Sequence, residues 1–564
     1  MATTAFIGVA LLALVAPFEM TQPLVRLPQQ SVSNLEAALL CAFAAWSLAI
    51  VASRQLPSWR TPLTFPWLAL LTALIVASVA APAFRMNALH MTGRLMAAFG
   101  IFLLTVTGLT TGARLRAALG LVVATGVIVG GLAILEYAQV RSVLNALKAF
   151  RPGITVVGSQ LRAGGSLQYP TIASMYLEVV FAFGVGLLLS AVDAGRPGRA
   201  AAWFVALLIV AEAITLTFTR AGLISMAAVL ALVVAIRYRR RGTDAGVQLL
   251  GALSVLVVVL FAGSQSAQWM WLRFTSGGQE SWYRAQVAAP ADVAMATGAT
   301  SAVPIEITNT GRLAWDSQGD PPFFLSYHWM QAEGDRFVVF DGARTPFSAP
   351  VEPGATLAME ADVRAPRQPG QYRLAWDVVV EHRLWFGTEP GAAPMLSRVT
   401  VSGDVLDASV RTTPPPKLTV RPGRLQLWTA AVKMIAAHPL LGVGPDNFRL
   451  LYGDYAGLST ADPRTHSNDM YLEVLAGSGL VGGLAFAWLL WRAAGVLLPN
   501  LRAPAATATA MGVGAALLAV ALHGVVDSFL SFGPTYVLFA LTLGFAVACA
   551  RGLAADTEAN AHRV

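Results

Sequence analysis

TIASMYLEVVFAFGVGLLLSAVDAGRPGRAAAWFVALLIVAEAITLTFTRAGLISMAAVLALVVAIRYRRRG, residues 171–242, decides the fold class. It holds three apolar runs, 171–193, 200–218 and 221–238. Each is close to the roughly 20 residues that cross a bilayer. The first break carries Arg196 and Arg199, the second only Arg220, and the third Arg237, Arg239, Arg240 and Arg241. Arginine that gathers at alternate breaks is how a polytopic membrane protein marks its cytoplasmic loops. A soluble core cannot absorb so much unbroken apolar sequence.

The alternation continues outward in both directions. Of the 564 residues 56% are hydrophobic and 12% are charged, against about 25% charged in an ordinary soluble domain. The expected spans are 5–18, 33–52, 64–82, 90–110, 116–138, 171–193, 200–218, 221–238, 246–263, 470–490, 506–526 and 533–550. With the N-terminus in the cytoplasm, Arg54, Arg60, Arg114, Arg116, Arg492, Arg502 and Arg551 join the inner set. The loop 139–170, with Arg141, Lys148, Arg151 and Arg162, departs from the positive-inside rule. This orientation puts that loop, Arg220 and the long segment 264–469 on the outer face. The net charge of +8 does not imply a nucleic-acid partner, because much of the arginine lies in short loops between apolar runs. Cys41 and Cys549 fall inside expected spans, which argues against a disulfide or a metal site. The first apolar run lacks a basic leader and an A-x-A site, so it reads as a short span.

Residues 290–404 break the membrane pattern. The alternating runs AVPIEIT, FFLSYHW, RFVVF, TLAMEADV and YRLAWDVVV, punctuated by Gly, Pro and Asp, predict an antiparallel β-sandwich. The phrases NTGRLAW, VEPGATL, APRQPGQYRLAWDVV and LWF resemble immunoglobulin-like modules. Trp315, Trp329, Trp376 and Trp385 are expected in its core, stacking on sugars being the alternative. His328 and His382 read as structural. RTTPPPK, 411–417, reads as a stiff linker.

The chemistry concentrates after this block. RLQLWTAAVKMIAAHPLLGVGPDNF, 424–448, predicts a helix from Arg424 to about Ala437 that stops at His438-Pro439 and opens into a Gly-rich turn. THSNDMYLEVLAGSGLVGG follows, with His466 just before an apolar, glycine-rich span. Walker A and HExxH motifs are absent, as is a GxSxG on a strand-to-helix turn.

Together with RAGGSLQYPTIASMYLEV, TFTRAGLISM and HGVVDSF, these phrases resemble the O-antigen ligase and polymerase family of bacterial membrane glycosyltransferases. The matching residues include Arg424 with Trp428, then His466 with Asn468, Tyr471 and Leu472, and the run Gly477, Gly479, Gly482. The resemblance covers the chain from about Arg162 onward, apart from the β block. It implies an all-α, GT-C-like membrane protein of about 12 helices with a periplasmic β-sandwich insertion, in the bacterial inner membrane. The corresponding division is a membrane domain 1–264, a connector 265–289, the β block 290–404, a helical catalytic loop 405–469, a second membrane part 470–552 and a cytoplasmic tail 553–564. It also implies glycan transfer from undecaprenyl diphosphate to a glycan, lipid or protein acceptor, with no metal or other cofactor.

The residues make physical sense of that reaction. A diphosphate leaving group needs fixed positive charge, which Arg220, Arg424 and then Arg162 would supply. The acceptor hydroxyl loses a proton, which His466 would take, since a free imidazole has a pKa of about 6.5. If a helix starts at His466, Glu473 lies seven residues on and on its face, to orient the imidazole or simply to reach interfacial water. His523 and Asp527, four apart, would share a helix face at the end of the eleventh span. Arg94 and Glu178, a turn or two inside the membrane, would face a cavity or pair with each other. Arg94, Asn468 and Tyr471, with Glu473, His523 and Asp527, complete the expected substrate-binding set. Two other classes of function compete. A flippase would need a similar lipid site, but no internal repeat is visible. A glycan-binding scaffold would leave the Arg–His arrangement unexplained.

Overall fold

The computed structural model describes residues 1–26, 31–57, 59–151, 153–157, 160–263, 266–275, 281–319, 321–381, 384–388, 395–406, 412–413, 422–458, 461–502 and 507–552. The chain divides into two compact units, Met1–Met270 with Pro422–Val564, and Trp271–Arg421.

The first unit is helical. Its first half contains α1 (Ala2–Val15), α2 (Asn34–Ser53), α3 (Thr64–Ala80), α4 (Arg85–Gly108), α5 (Gly112–Tyr137), the short α6 (Arg141–Leu147), α7 (Pro170–Asp193), α8 (Pro197–Leu216), α9 (Arg220–Arg241) and α10 (Ala245–Ala262). After α11 (Ser266–Thr275), which runs across the unit boundary, come α12 (Arg424–Ala437), α13 (Phe448–Ala456), α14 (Met470–Arg502), α15 (Ala508–His523) and α16 (Gly533–Ala550). The starts are written locally. Ser33 and Glu36 form a capping box on α2, Thr111, Asp244 and Thr507 cap α5, α10 and α15, and Pro170, Pro197 and Pro534 open α7, α8 and α16.

Among the described residues nine helices are long and apolar enough to cross a membrane. The segments Ala2–Phe18, Thr64–Ala80 and Ala508–His523 are apolar but shorter. The protein is thus a multi-pass membrane protein, and every expected span coincides with an apolar helix. Two differ in shape. The helix expected at 470–490 runs on to Arg502 through Pro499. The one expected at 506–526 stops at His523, so Asp527 lies in the following turn rather than on a shared helix face. Helix α7 is the axis of the unit, buried along its length. It crosses α15 closely: a Cβ added at Gly186 would lie 3.0 Å from the Gly512 Cα, the small-residue contact that lets membrane helices approach. Arg237, expected at the edge of a cytoplasmic loop, is buried between Asp193 and Asp244 at 2.6 Å each, because a buried guanidinium persists only with such partners.

The second unit is built of β-strands. One sheet runs in the order Thr345–Pro346, Phe323–Gln331, Gly370–Val380, Leu396–Ser402, Asp292–Ala296. The other runs Thr356–Arg364, Thr300–Asn309, Ala285–Ala288. Among these described strands all neighbours are antiparallel except Leu396–Ser402 with Asp292–Ala296. The β structure therefore starts at Ala285, inside the stretch 265–289 read as a connector. Inward residues alternate along Thr300–Asn309, where Val303, Ile305 and Ile307 are buried. Trp315, Trp329 and Trp376 are core residues, and Trp329 Nε1 donates to the Arg364 carbonyl at 2.9 Å. Trp385 is half-buried, with the Arg344 guanidinium 4.9 Å from its ring centroid. His328 is buried, its Nε2 3.2 Å from Asp377. His382, most of the linker 411–417 and the tail 553–564 lie outside the described residues. Cys41 and Cys549 are both free thiols.

Candidate functional site

The site is assembled where α14 breaks. Gly479 takes φ +61°, ψ −165°, a conformation closed to other residues, and interrupts the helix. The backbone groups released there are taken up by the turn that follows α12. Val443 N–H donates to Ala476 and Gly444 N–H to Gly477, each at 2.9 Å, and Leu480 N–H donates to the Pro439 carbonyl at 2.8 Å. The HPLLGVGPDNF turn and the glycine run of α14 thus fill each other's backbone vacancies.

That interlock fixes Asp446 and Asn447. The Asn447 side chain is fully buried and donates to the carbonyls of Ala83 and Val443 at 2.9 Å each. Its oxygen accepts from Asn87 at 3.0 Å. Asn447→Ala leaves these carbonyls without a donor, at about 1–3 kcal/mol for each unsatisfied group. We expect a clearly lowered thermal midpoint in detergent; an unchanged midpoint would show that this joint is not structural.

His466 stands against this joint. Its Nδ1 lies 3.3 Å from Glu473 Oε1 and 4.0 Å from Asp446 Oδ1, and the ring meets Phe532 edge-on at 5.7 Å between centroids. The contact with Glu473 does not arise as the spacing suggested. Helix α14 begins at Met470, not at His466. Asp469 caps it through the N–H groups of Tyr471 and Leu472, both 2.8 Å from Oδ1. The stretch 466–469 then folds back, with Ser467 N–H 2.9 Å from Glu473 Oε2 and its hydroxyl at 2.6 Å. Burial pushes the imidazole pKa down, but the Glu473 hydrogen bond and the charges of Glu473 and Asp446 outweigh it, and the pKa is raised. The positive group acting on this ring is Arg449, 2.8 Å from Asp446 and 2.6 Å from Asn87.

A second charged cluster lies where α12, α9 and α15 begin or end. Arg424, the first residue of α12, is held below its usual pKa by desolvation and by the like charge of Arg220, while Asp527 pulls it back. Arg162 donates to the Thr217 carbonyl at 2.9 Å and to Thr219 Oγ1 at 3.2 Å, bracing the turn that delivers Arg220. His523 Nδ1 is 2.9 Å from Glu178, both fully buried in the helices. Glu178 therefore pairs with His523 and not with Arg94, whose NH1 donates to the Ser531 carbonyl at 2.9 Å beside a cavity. The clusters are joined through 524–532: Met470 N–H donates to the Gly524 carbonyl at 2.7 Å, and Phe532 touches His466. Tyr471 donates to the Ala521 carbonyl at 2.8 Å and so ties α14 to α15. Asn468 occupies the left-handed region, at φ +53°, in the turn between His466 and α14.

Residues 400–487, which contain Arg424, Asp446, His466 and Glu473, match the family model described as O-antigen ligase. This segment is similar to the O-antigen ligase family. No curated protein matches the chain. The O-antigen ligase segment thus carries both the imidazole and its carboxylates. Three of its companions were not assigned roles in the sequence: Asp446 and Arg449, which follow the quoted Gly-rich turn, and Asn87, which reaches them from α4. Asp446, His466 and Glu473 each offer one ligand atom within 4.8 Å of the others, a spacing a metal ion can use.

Proposed function

We propose that the protein transfers a glycan from undecaprenyl diphosphate to an acceptor hydroxyl at the periplasmic face of the bacterial inner membrane. The observation that carries this reading is the His466–Glu473 pair inside the O-antigen ligase segment. With Nδ1–H donating to Glu473, the lone pair sits on Nε2, where it can accept a proton. The acceptor oxygen attacks the anomeric carbon, its proton passes to Nε2, and the bond to the diphosphate breaks with its electron pair on the phosphate oxygen. Arg220 and Arg424 meet that charge, with Arg162 holding the turn before Arg220. Tyr471 and Asn468 shape the approach to α14, and His523 with Asp527 sets the surroundings of Arg424. Two mutually repelling guanidiniums with Asp527 beside them suit a polyanion.

The reaction as proposed uses no metal. Arg449 at 2.8 Å from Asp446 places a positive charge next to the Asp446–His466–Glu473 group, which opposes a divalent cation there. Transfer is expected to continue at its full rate in excess chelator; loss of activity restored by a single divalent ion would overturn this point.

The test of the whole reading uses the purified protein in nanodiscs with an undecaprenyl diphosphate glycan. Lipid A-core, a second lipid-linked glycan and a Ser/Thr-bearing peptide are supplied one at a time, covering ligase, polymerase and protein-glycosylating chemistry. A new glycosidic bond on one acceptor is the expected result. Movement of the donor across a vesicle bilayer, with no new bond to any acceptor, would make the protein a transporter instead.

The raised pKa of His466 sets the pH dependence. The base works only when neutral, so activity is lost as pH falls through the raised value. The acid limb of kcat/KM is therefore expected above the free-imidazole value of about 6.5. Glu473→Gln removes the charge that raises it and should move the limb to lower pH. A limb that stays in place would separate Glu473 from the titration.

A further inference from the structure

A cavity of 180 Å³ opens beside Phe532, where a single water needs roughly 10–15 Å³ of such space. Phe532 lines it and packs against the ring of His466. The rest of its wall includes Glu19, Glu36, Arg94, Gln168 and Tyr536, contributed by helices and loops that meet around the N-terminus of α16.

Glu19, Glu36 and Arg94 are held in place before any ligand arrives. Glu19 Oε1 accepts from the Ser33 hydroxyl at 3.3 Å, and Glu36 Oε2 accepts from Ser33 N–H at 2.8 Å within the α2 capping box. Arg94 is fixed by the Ser531 carbonyl and lies 5.9 Å from the Tyr536 ring centroid. Ionised carboxylates only accept hydrogen bonds, so their natural partners are hydroxyl or amide hydrogens. Gln168 adds both a donor and an acceptor. Two carboxylates against one guanidinium leave the wall net negative, so a phosphate group meets repulsion there. An uncharged polyhydroxylated ring, with Phe532 under one face, fits both the chemistry and the size.

We infer that this cavity binds an uncharged sugar ring at the end of the acceptor and so selects a neutral glycan over a phosphate-bearing one. The word acceptor rests on the transfer reading above; the binding itself does not. The occupied cavity would hold a sugar ring against Phe532, the residue whose other neighbour is the His466 ring.

The test needs no donor and no turnover, so its failure is distinct from failure of the transfer assay. The full chain in nanodiscs is titrated, by saturation-transfer NMR, with methyl glucoside, methyl N-acetylglucosaminide, methyl rhamnoside and glucose 6-phosphate. At least one neutral glycoside should bind, with glucose 6-phosphate about tenfold weaker or more. Glu19→Ala and Gln168→Ala should each weaken the neutral ligand by about tenfold, the scale of a lost hydrogen bond to a charged or well-placed group. Glu19→Gln should narrow the gap to glucose 6-phosphate. If Glu19→Ala fails to fold, Gln168→Ala on the open wall decides. The inference is overturned if no neutral glycoside binds, if the phosphate ester binds as well, or if the variants that fold leave binding unchanged.

Discussion

Replacing His466 by alanine should lower the transfer rate by about 10²–10⁴-fold, the usual contribution of a positioned general base. The size of the loss follows from the task. An acceptor hydroxyl is a poor nucleophile until its proton is leaving, and the proposed base, held by Glu473 at 3.3 Å, would remove it with little reorganisation. The alanine variant keeps the arginines proposed to bind the diphosphate, so the donor KM should change little while kcat falls. A drop of less than about tenfold in kcat would mean that proton removal is done by another group. Glu473→Gln should show a smaller loss, together with the displaced acid limb described above. Because Ser467 also bonds Glu473 through its N–H and hydroxyl, a thermal midpoint must accompany each rate. A variant that merely loosens 466–469 would lower both.

How the sequence led to His466 as the proposed base shows what a linear reading can carry. Apolar length alone placed the helices, because spanning a bilayer demands unbroken runs whatever packs around them. The terminus of α12 at His438 was legible for the same local reason, a proline and a glycine-rich turn. The break at Gly479 was not. The residues around it are as apolar and small as those of any membrane helix, and the cause of the break is the docked turn 438–444, some thirty-five residues earlier in the chain. From spacing, Glu473 would meet His466 only if a helix started at His466; the two do meet, but through a folded loop capped by Asp469 rather than along a helix face. Asn87 lies 360 residues from Asn447, and no local pattern announces that they touch. The cavity around Glu19 and Arg94 was hidden in the same way: Glu19 follows the first helical segment and Arg94 lies within α4, and only the packed bundle gives them a common wall.

Arg424→Gln should cost roughly 10²–10³ in kcat, the scale seen when one fixed charge or donor is withdrawn from a developing anion. Arg220→Gln should cost a similar amount. The case rests on their mutual repulsion. The charge of Arg220 depresses the pKa of Arg424, and Asp527 is the acidic group that pulls it back. Holding two guanidiniums together against repulsion is unfavourable in the resting protein and becomes favourable when a diphosphate with several negative oxygens lies between them. Under the proposed function both arginines act on one leaving group. The double variant should consequently lose less than the product of the two single losses, as expected for residues that serve one transition state together. Lysine should not restore the rate at either position, because a point charge cannot reproduce the paired N–H groups that grip a phosphate. The effect should fall on the donor: kcat and donor KM change, and acceptor KM does not. Strictly multiplicative losses, or a shift confined to the acceptor KM, would place these arginines on separate tasks and remove the diphosphate from between them.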